Sequence, residues 1–349
     1  MTMSSVSRRI VRLLCLAGSL LLLLTGCGGT DDITPDPSAS AFGTVRIGRG
    51  TSAETGVIAE IYARTLRDAG YTVEVVDGGT RQEYLSAMAD GGDQAPLITP
   101  DYTGALLLHL TDDGARNPSV TEAPTPSASA AASGASEAAS ASAGPTPTPT
   151  GLNVQGMSPG DISATVDRVL PRQLSTLDAA SAENRDALVV TRATAAKYDL
   201  SSISDLAAHC GQLRFGTPSG FADRSYGTAG LRRLYECTPG RYVEQSDPAR
   251  LVDELADGTV DVADIPTASA AIEQNGFVVL EDPQADFIAQ QVVPVVRADT
   301  LPSSAVDALN TVSGKLSTSD LTFLDQLMSG PDAVSAQDAA AFWVREGTD

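Results

Sequence analysis

The chain is poor in histidine, tryptophan and cysteine, and this scarcity limits the chemistry it can carry. Its 349 residues include 2 His, 1 Trp and 4 Cys, and aromatic residues make up only 5%. The two histidines, His109 and His209, do not stand at ligand spacing from an open pair of cysteines, so we expect no metal site. No H-E-x-x-H motif and no cluster of catalytic histidines is present. We therefore expect the protein not to be an enzyme.

Positive charge is scarce as well. The chain has 23 Lys and Arg residues against 44 Asp and Glu residues, which gives a formal net charge of −21. Nucleic acid and anionic membrane surfaces both require a basic face, so neither is expected as a partner. The acidic balance favours solubility and, weakly, a cationic ligand.

Long hydrophobic runs are limited to one, Leu13–Leu24, which follows two arginines. It is shorter than the ~20 apolar residues of a transmembrane helix and is typical of a signal peptide. The sequence Leu24-Thr25-Gly26-Cys27 resembles a bacterial lipobox. We expect removal of residues 1–26 and a lipid on Cys27 that anchors the protein to the cell membrane, outside the cytoplasm. A plain secretory signal or an anchor helix is the alternative.

Two cysteines remain beyond the anchor, Cys210 and Cys237. An even number of cysteines outside the cytoplasm suggests a disulfide. Cys210 precedes a predicted strand, and Cys237 ends a predicted helix that returns toward the start of that strand. We therefore expect the two to be bonded, with two free thiols as the alternative.

Strand and helix patterns alternate along most of the chain, which predicts an α/β fold with helices covering open sheets. One stretch departs from this pattern. From about 118 to 151 the chain is almost only Ala, Ser, Pro, Thr and Gly, and we expect a disordered insertion there. Pro294 interrupts the strand pattern Val292–Val296, so we expect it on an edge strand or in a crossover.

These patterns divide the chain into segments. We predict a signal peptide at 1–26, a flexible tether at 27–43, a first lobe at 44–186 that contains the insertion, a second lobe at 187–290, and a return to the first lobe at 291–349.

Gly48, Gly50 and Ala53 form a G-x-G-x-x-A motif between a predicted strand and helix, the spacing of a dinucleotide-binding loop. Nicotinamide cofactors are not generally supplied outside the cytoplasm. The acidic residue that follows, Asp77, also lies further away than the usual ~20 residues. We therefore expect no cofactor and interpret the loop as a site for a polar or anionic ligand.

The sequence Pro100-Asp101-Tyr102-Thr103-Gly104 follows one predicted strand and precedes a helix. Ligands of open α/β sheets bind at the carboxyl ends of the strands. Asp101, Tyr102 and Thr103 are therefore the first candidates for ligand contacts. A turn whose tyrosine only covers the core is the alternative.

Seven short motifs occur in a specific order along the chain. They are T-R-x-x-Y-L-x-A-M from Thr80, P-D-Y-T-G from Pro100, S-D-L-A-x-H from Ser204, L-R-F-G from Leu213, G-L-x-x-x-Y from Gly230, G-x-V-D-V-A from Gly258 and V-V-L-E-D from Val278. Together they resemble the glycine betaine, carnitine and choline substrate-binding proteins of ABC importers. The resemblance runs from about residue 44 to 345, except for the insertion. It implies a two-lobe type II periplasmic-binding-protein fold, with crossovers near 182–187 and 288–293 and the ligand between the lobes.

The resemblance also implies a binding mode. Aromatic faces hold a trimethylammonium group, and Arg or N–H donors hold a carboxylate. It assigns Tyr102 as one ring and the loop Thr217–Tyr226 as the contribution of the second lobe, with Arg224 as the carboxylate partner and Tyr226 as the second ring. A solvated charge at Arg224 and a packing role for Tyr226 are the alternatives. Four further candidates lie at loop ends expected to face the same cleft: Thr51, Thr80, Arg81 and Thr267.

Parts of the family's aromatic cage are missing, because neither the first crossover nor the loop Asp264–Thr267 carries a ring. Either the ligand is not a quaternary amine, or Asp101 and Asp264 supply charge in place of rings. We expect a monomeric, lipid-anchored protein that captures a small polar or quaternary-amine osmolyte and delivers it to an ABC permease with its ATPase. The alternative is a surface lipoprotein with an eroded cleft that transports nothing.

Overall fold

The computed structural model describes residues 38–113 and 151–347. The predicted signal peptide, Cys27 and nearly all of the predicted insertion lie outside the described residues. Within them, no helix combines the length and the apolar character needed to cross a membrane.

The described residues form ten strands and twelve α-helices. The strands are β1 (Thr44–Arg49), β2 (Thr72–Asp77), β3 (Ile98–Tyr102), β4 (Leu174–Thr176), β5 (Leu188–Val190), β6 (Arg214–Thr217), β7 (Arg241–Glu244), β8 (Val262–Asp264), β9 (Val278–Val279) and β10 (Val292–Arg297). The helices are α1 (Ala53–Asp68), α2 (Arg81–Asp90), α3 (Thr103–Leu110), α4 (Pro159–Val169), α5 (Arg192–Tyr198), α6 (Ile203–Leu206), α7 (Thr228–Tyr235), α8 (Pro248–Ala256), α9 (Ala270–Asn275), α10 (Ser303–Lys315), α11 (Thr318–Met328) and α12 (Ala336–Glu346).

The strands of the described residues build two five-stranded sheets. The first has the order β2-β1-β3-β10-β4 and the second the order β7-β6-β8-β5-β9. Each has three parallel strands on one side, β2-β1-β3 in one sheet and β7-β6-β8 in the other, and antiparallel pairs on the other side. The predicted mixed α/β class with two sheets is confirmed. We refer to the units around the two sheets as the first and second lobes.

The first lobe is organised around α1, whose side chains at helical spacing are buried. Ser52 caps this helix by accepting a hydrogen bond from the Thr55 N–H, and the next helix, α2, begins with a capping box formed by Thr80 and Glu83. Helices α10 and α12 pack against α1. The second lobe carries a disulfide between Cys210 and Cys237, whose Cα atoms are 5.4 Å apart.

Two chain segments connect the lobes, the first crossover at 177–187 and the second at 288–291. They run antiparallel and are hydrogen-bonded to each other: Ala180 N–H donates to the Val292 carbonyl at 2.8 Å, and Asn184 N–H to the Gln290 carbonyl at 3.0 Å. The two crossovers are therefore paired by backbone hydrogen bonds, and we refer to this pair as the crossover ribbon.

The expectation for Pro294 is wrong. It lies inside β10, between β3 and β4, and faces Pro100 in the antiparallel pair. On either side of this position the strands exchange hydrogen bonds, for example from Arg297 N–H to the Leu97 carbonyl at 3.0 Å. Opposing residues in antiparallel strands alternate between bonded and non-bonded pairs. The two prolines occupy a non-bonded pair, so no ladder bond between β3 and β10 is lost.

Gly104 marks where α3 meets the second crossover. A Cβ atom at this position would lie 2.4 Å from the carbonyl oxygen of Ala289. Only glycine permits this approach of a helix to backbone. The P-D-Y-T-G sequence thus joins the first sheet to the crossover ribbon.

Candidate functional site

The carboxyl ends of β6 and β8 bring two polar side chains together in the second lobe. These strands are parallel with Gly216 opposite Ala263, so Thr217 and Asp264 come next in register, side by side at the edge of the sheet. Thr217 is 1% exposed and Asp264 2%. Neither Thr217 Oγ1 nor Asp264 Oδ1 has a hydrogen-bond partner. Buried polar atoms are normally paired, so this pair needs an explanation.

The carboxyl group of Asp264 is held in an unfavourable environment. Burial raises its pKa well above the ordinary value, and the neighbouring Asp186 raises it further, while Arg224 and a backbone hydrogen bond to Ala187 act in the opposite direction. A positive charge bound beside this group would offset both the desolvation and the repulsion.

Asp186, Tyr226 and Arg224 form a network next to this pair. The Tyr226 hydroxyl donates to Asp186 Oδ2 at 2.7 Å, and Arg224 Nη1 donates to the same hydroxyl. Arg224 Nη1 also lies 3.4 Å from Asp186 Oδ2. The ring of Tyr226 is buried and packs against Phe287, with the ring centroids 5.6 Å apart. Arg224 and Tyr226 are thus brought together as expected, but they also bind to each other and to Asp186.

A second group of polar side chains lies at the end of β3, in the first lobe. Tyr102 is 9% exposed, and its hydroxyl lies beside the Glu54 carboxyl. Burial raises the pKa of that hydroxyl, and the charge of the Glu54 carboxyl and a hydrogen bond with it raise the pKa further. Glu54 Oε2 accepts from Asn184 Nδ2 at 2.8 Å, and Asn184 Oδ1 accepts from Ala268 N–H at 2.8 Å. Asn184, on the first crossover, therefore links the two lobes.

Asp101 and Arg81 bind to each other. Arg81 Nε and Nη2 donate to the Asp101 carboxylate at 2.9 and 2.7 Å, and the Tyr84 hydroxyl donates to Asp101 Oδ2. The backbone N–H of Tyr102 donates to Asp101 Oδ1 at 2.7 Å. Both oxygens of this carboxylate are occupied by its own lobe.

Thr103 and Thr267 each form two hydrogen bonds with the backbone of a crossover. Thr103 N–H donates to the Gln291 carbonyl at 2.9 Å, and Thr103 Oγ1 accepts from Gln291 N–H at 3.1 Å. Thr267 does the same for Arg185 in the first crossover, with distances of 2.9 and 3.2 Å. Thr80 is committed to its capping box, whereas Thr51 is exposed in the loop between β1 and α1.

Three polar residues of these groups were missed by sequence reasoning: Glu54, Asn184 and Asp186. Thr217 begins the loop that the resemblance assigns to the site, and it stands at the last position of β6, the position that carries ligand contacts in such sheets. Asn184 and Asp186 lie in irregular crossover backbone, where no periodicity identifies the side chains that face a cleft. Glu54 lies in the first turn of α1, where an acidic residue is common, so the sequence does not mark it as a site residue.

One sequence match points to a different chemistry and is explained by local structure. Gly156–Gly160 has the G-x-S-x-G spacing of a hydrolase nucleophile. Ser158, however, is the N-cap of α4, and its hydroxyl donates to Asp161 Oδ2 at 2.7 Å. No strand leads into this turn in the described residues. Nor do these residues contain three His, Cys, Asp or Glu side chains grouped to hold a metal ion.

The family of the chain follows from its match to a family model. Residues 43–346 match the model described as the substrate-binding domain of an ABC-type glycine betaine transport system. The chain belongs to this family. As a substrate-binding domain of an ABC-type transport system, it works outside the cytoplasm with a small-molecule ligand and with permease and ATPase partners.

Solved structures share the fold of this family member. A glycine betaine/carnitine/choline ABC transporter protein matches with a TM-score of 0.64 at 20% identity, over 86% of this chain and 98% of the other. Apo YehZ from Escherichia coli matches with a TM-score of 0.60 at 18% identity, over 87% and 99%. An ABC-transporter choline-binding protein in complex with choline matches with a TM-score of 0.51 at 14% identity, over 87% and 88%. No curated protein matches the chain in sequence. The expected type II periplasmic-binding-protein fold is confirmed.

Proposed function

We propose that this substrate-binding protein captures a small polar or quaternary-amine osmolyte, of the betaine, choline or carnitine type, in the cleft between its two lobes and delivers it to the permease. Closure of the lobes around the crossover ribbon buries the ligand, as hinge closure does in periplasmic binding proteins.

One observation carries this proposal: two polar atoms without partners lie buried side by side at the carboxyl edge of the second sheet. They are Thr217 Oγ1 and Asp264 Oδ1. Leaving such atoms unpaired costs on the order of 1–3 kcal/mol each. A ligand that supplies the missing hydrogen-bond partners would remove that cost when it binds.

The membrane attachment and the chain division belong to the same proposal. The lipobox-like sequence at Cys27 supports a lipid anchor outside the cytoplasm. Strands up to Thr176 and from Val292 share one sheet, while those from Leu188 to Val279 share the other, which supports lobe boundaries at 44–186, 187–290 and 291–349. We propose that the anchored protein acts as a monomer.

Ligand titration of the mature protein tests the proposal. Glycine betaine, choline, carnitine, ectoine, proline and polyamines are each added, and melting temperature and heat of binding are measured. We expect a saturable, stabilising response to at least one betaine-type compound, because a ligand that binds only the folded state stabilises it. Tyr102→Phe removes only the hydroxyl, so it should weaken that ligand about tenfold if the hydroxyl contacts it.

The free Tyr102→Phe protein should melt only slightly below the parent temperature, because the Glu54 carboxyl loses the neighbouring hydroxyl but keeps its hydrogen bond from Asn184. No response to any compound on the panel would contradict solute capture and favour the eroded-cleft alternative. Unchanged affinity in Tyr102→Phe would remove Tyr102 from the site and leave the general proposal standing.

A further inference from the structure

We infer that the second-lobe edge is a carboxylate site that selects a small organic cation with a hydroxyl and without a carboxylate of its own, of which choline is the simplest probe. This inference rests on the proposed function and narrows it, since that proposal admits zwitterions such as glycine betaine equally.

The first step is the charge at the floor of the cleft. Asp264 presents an unpartnered oxygen at the end of β8, and Asp186 approaches it from the first crossover. Two carboxylates in buried surroundings attract a cation and repel an anion. A zwitterion that brings its own carboxylate would meet this repulsion, whereas choline would not.

The second step is the state of Arg224, the cation nearest to these acids. Its Nη1 atom binds both Asp186 and the Tyr226 hydroxyl. Arg224 therefore neutralises charge of the acidic pair and is not free to bind a ligand carboxylate. The resemblance assigns Arg224 to a ligand carboxylate, whereas its contacts indicate the neutralising role.

The third step is the hydroxyl of Thr217, which lies beside Asp264 and has no partner. A hydroxyl both donates and accepts hydrogen bonds, so it suits a ligand hydroxyl and offers nothing to a methyl group. The buried ring of Tyr226 packs against Phe287 and has the Arg224 guanidinium 5.5 Å from its centroid, so this ring already faces a cation. Acid and hydroxyl together match the ammonium and hydroxyl groups of a hydroxylated quaternary amine.

Protonation provides an independent consequence. The charged groups that act on Asp264 are Asp186 and Arg224. Burial, and then Asp186, raises the pKa of Asp264, against the opposing effect of Arg224. A cation binds best to the ionised carboxyl. Its affinity should therefore rise with pH, and binding should release a proton.

Calorimetric titration of the mature protein with choline and with glycine betaine at pH 6 and pH 8 tests the inference. We expect choline to bind at least about tenfold more tightly than betaine at pH 8, and more tightly at pH 8 than at pH 6. Asp264→Asn should reduce the choline preference about tenfold and flatten its pH dependence. Repeating the parent titration in buffers of different ionisation enthalpy measures proton release without any variant.

Two variants control for indirect effects. Asp205→Asn changes an aspartate of the same lobe whose carboxylate is held by Ser201 and Ser202 at the start of α6, and it should leave choline binding unchanged. Thr217→Val removes only the hydroxyl and should weaken choline more than tetramethylammonium, which has no hydroxyl. Betaine binding as tightly as choline, without proton release, would overturn the inference and leave solute capture intact. Binding of neither compound nor any other osmolyte would overturn both.

Discussion

Asp101 stands at the end of β3, where a ligand contact is expected, yet its carboxylate is fully committed within its lobe. Arg81 and the Tyr84 hydroxyl both donate to it, and its side chain is 2% exposed. The partner guanidinium is itself partly buried. Removing one member of such a pair leaves an unbalanced charge in poor solvent.

We expect Asp101→Asn to lower the free energy of unfolding by about 3 kcal/mol, as for other broken buried pairs. Denaturant titration of the ligand-free protein measures this. Combining it with Arg81→Met should recover part of the loss, because both charges are then gone. Full stability in Asp101→Asn, accompanied by weakened ligand binding, would instead assign the residue to the ligand.

This residue also shows what a sequence can and cannot supply. P-D-Y-T-G identifies a strand end, so the position of Asp101 at the sheet edge was predictable. Its partner was not, because Arg81 begins a helix 20 positions earlier and a register across two elements decides whether the side chains meet. Tyr84, one turn further along the same helix, completes the network through its hydroxyl.

At the scale of elements, the close contact of α3 with the second crossover sets how the lobes are joined. Gly104 lies at this contact, and a methyl group there would collide with the Ala289 carbonyl. Because that obstacle is backbone that is paired with the first crossover, it cannot move alone.

Gly104→Ala should therefore destabilise the protein by about 1–3 kcal/mol, the usual cost of overpacking. Gly314→Ala is the matched control: it lies in α10 with nothing near the added methyl, so it should be neutral or stabilising by up to about 1 kcal/mol. Thermal and chemical unfolding of both variants provide the comparison. Equal changes in stability in the two variants would show that the second crossover moves readily to accommodate a methyl group on α3.

The crossovers are also where sequence patterns fail. The apolar pattern predicted β10. The low propensity of proline for central strands, however, led to the wrong expectation that Pro294 lies on an edge strand or in a crossover. Pairing of Pro294 with Pro100 depends on the register between two distant segments, which local propensity does not contain. Thr103 and Thr267 stay predicted ligand contacts, and their hydrogen bonds to the crossovers were not predictable because polar residues at strand ends suit both roles.

At the scale of the whole molecule, the two-sheet architecture was predictable because each sheet is built from β-α units with strong periodicity. The motif order added the two-lobe fold. The ligand chemistry that we propose was less accessible, since the proposal rests on side chains from β6, β8 and the first crossover that meet only after folding. The net negative charge shows that acidic residues outnumber basic ones, but it does not indicate which acidic side chains are buried.

Burial of acids also makes the stability of the molecule depend on pH. Asp286, in the second lobe, is 5% exposed, and its Oδ2 atom has no hydrogen-bond partner. Burial, and then repulsion from Asp282, raises the pKa of Asp286 to about 7, against the opposing effect of Arg233. In the unfolded chain the same carboxyl has a pKa near 4.

Between about pH 4 and about 7 the folded protein therefore holds a proton that the unfolded chain has lost, so this group makes stability fall as pH rises through that window. The expected slope is on the order of 1 kcal/mol per pH unit. Denaturant titrations at pH 5 and pH 7 should show a smaller loss in Asp286→Asn than in the parent. Asp205, with its pKa lowered to about 2 by hydrogen bonds from Ser201 and Ser202, titrates below this window, so Asp205→Asn should keep the parent slope. Parallel slopes for the parent and Asp286→Asn would show that solvent or Arg233 already stabilises the ionised carboxyl.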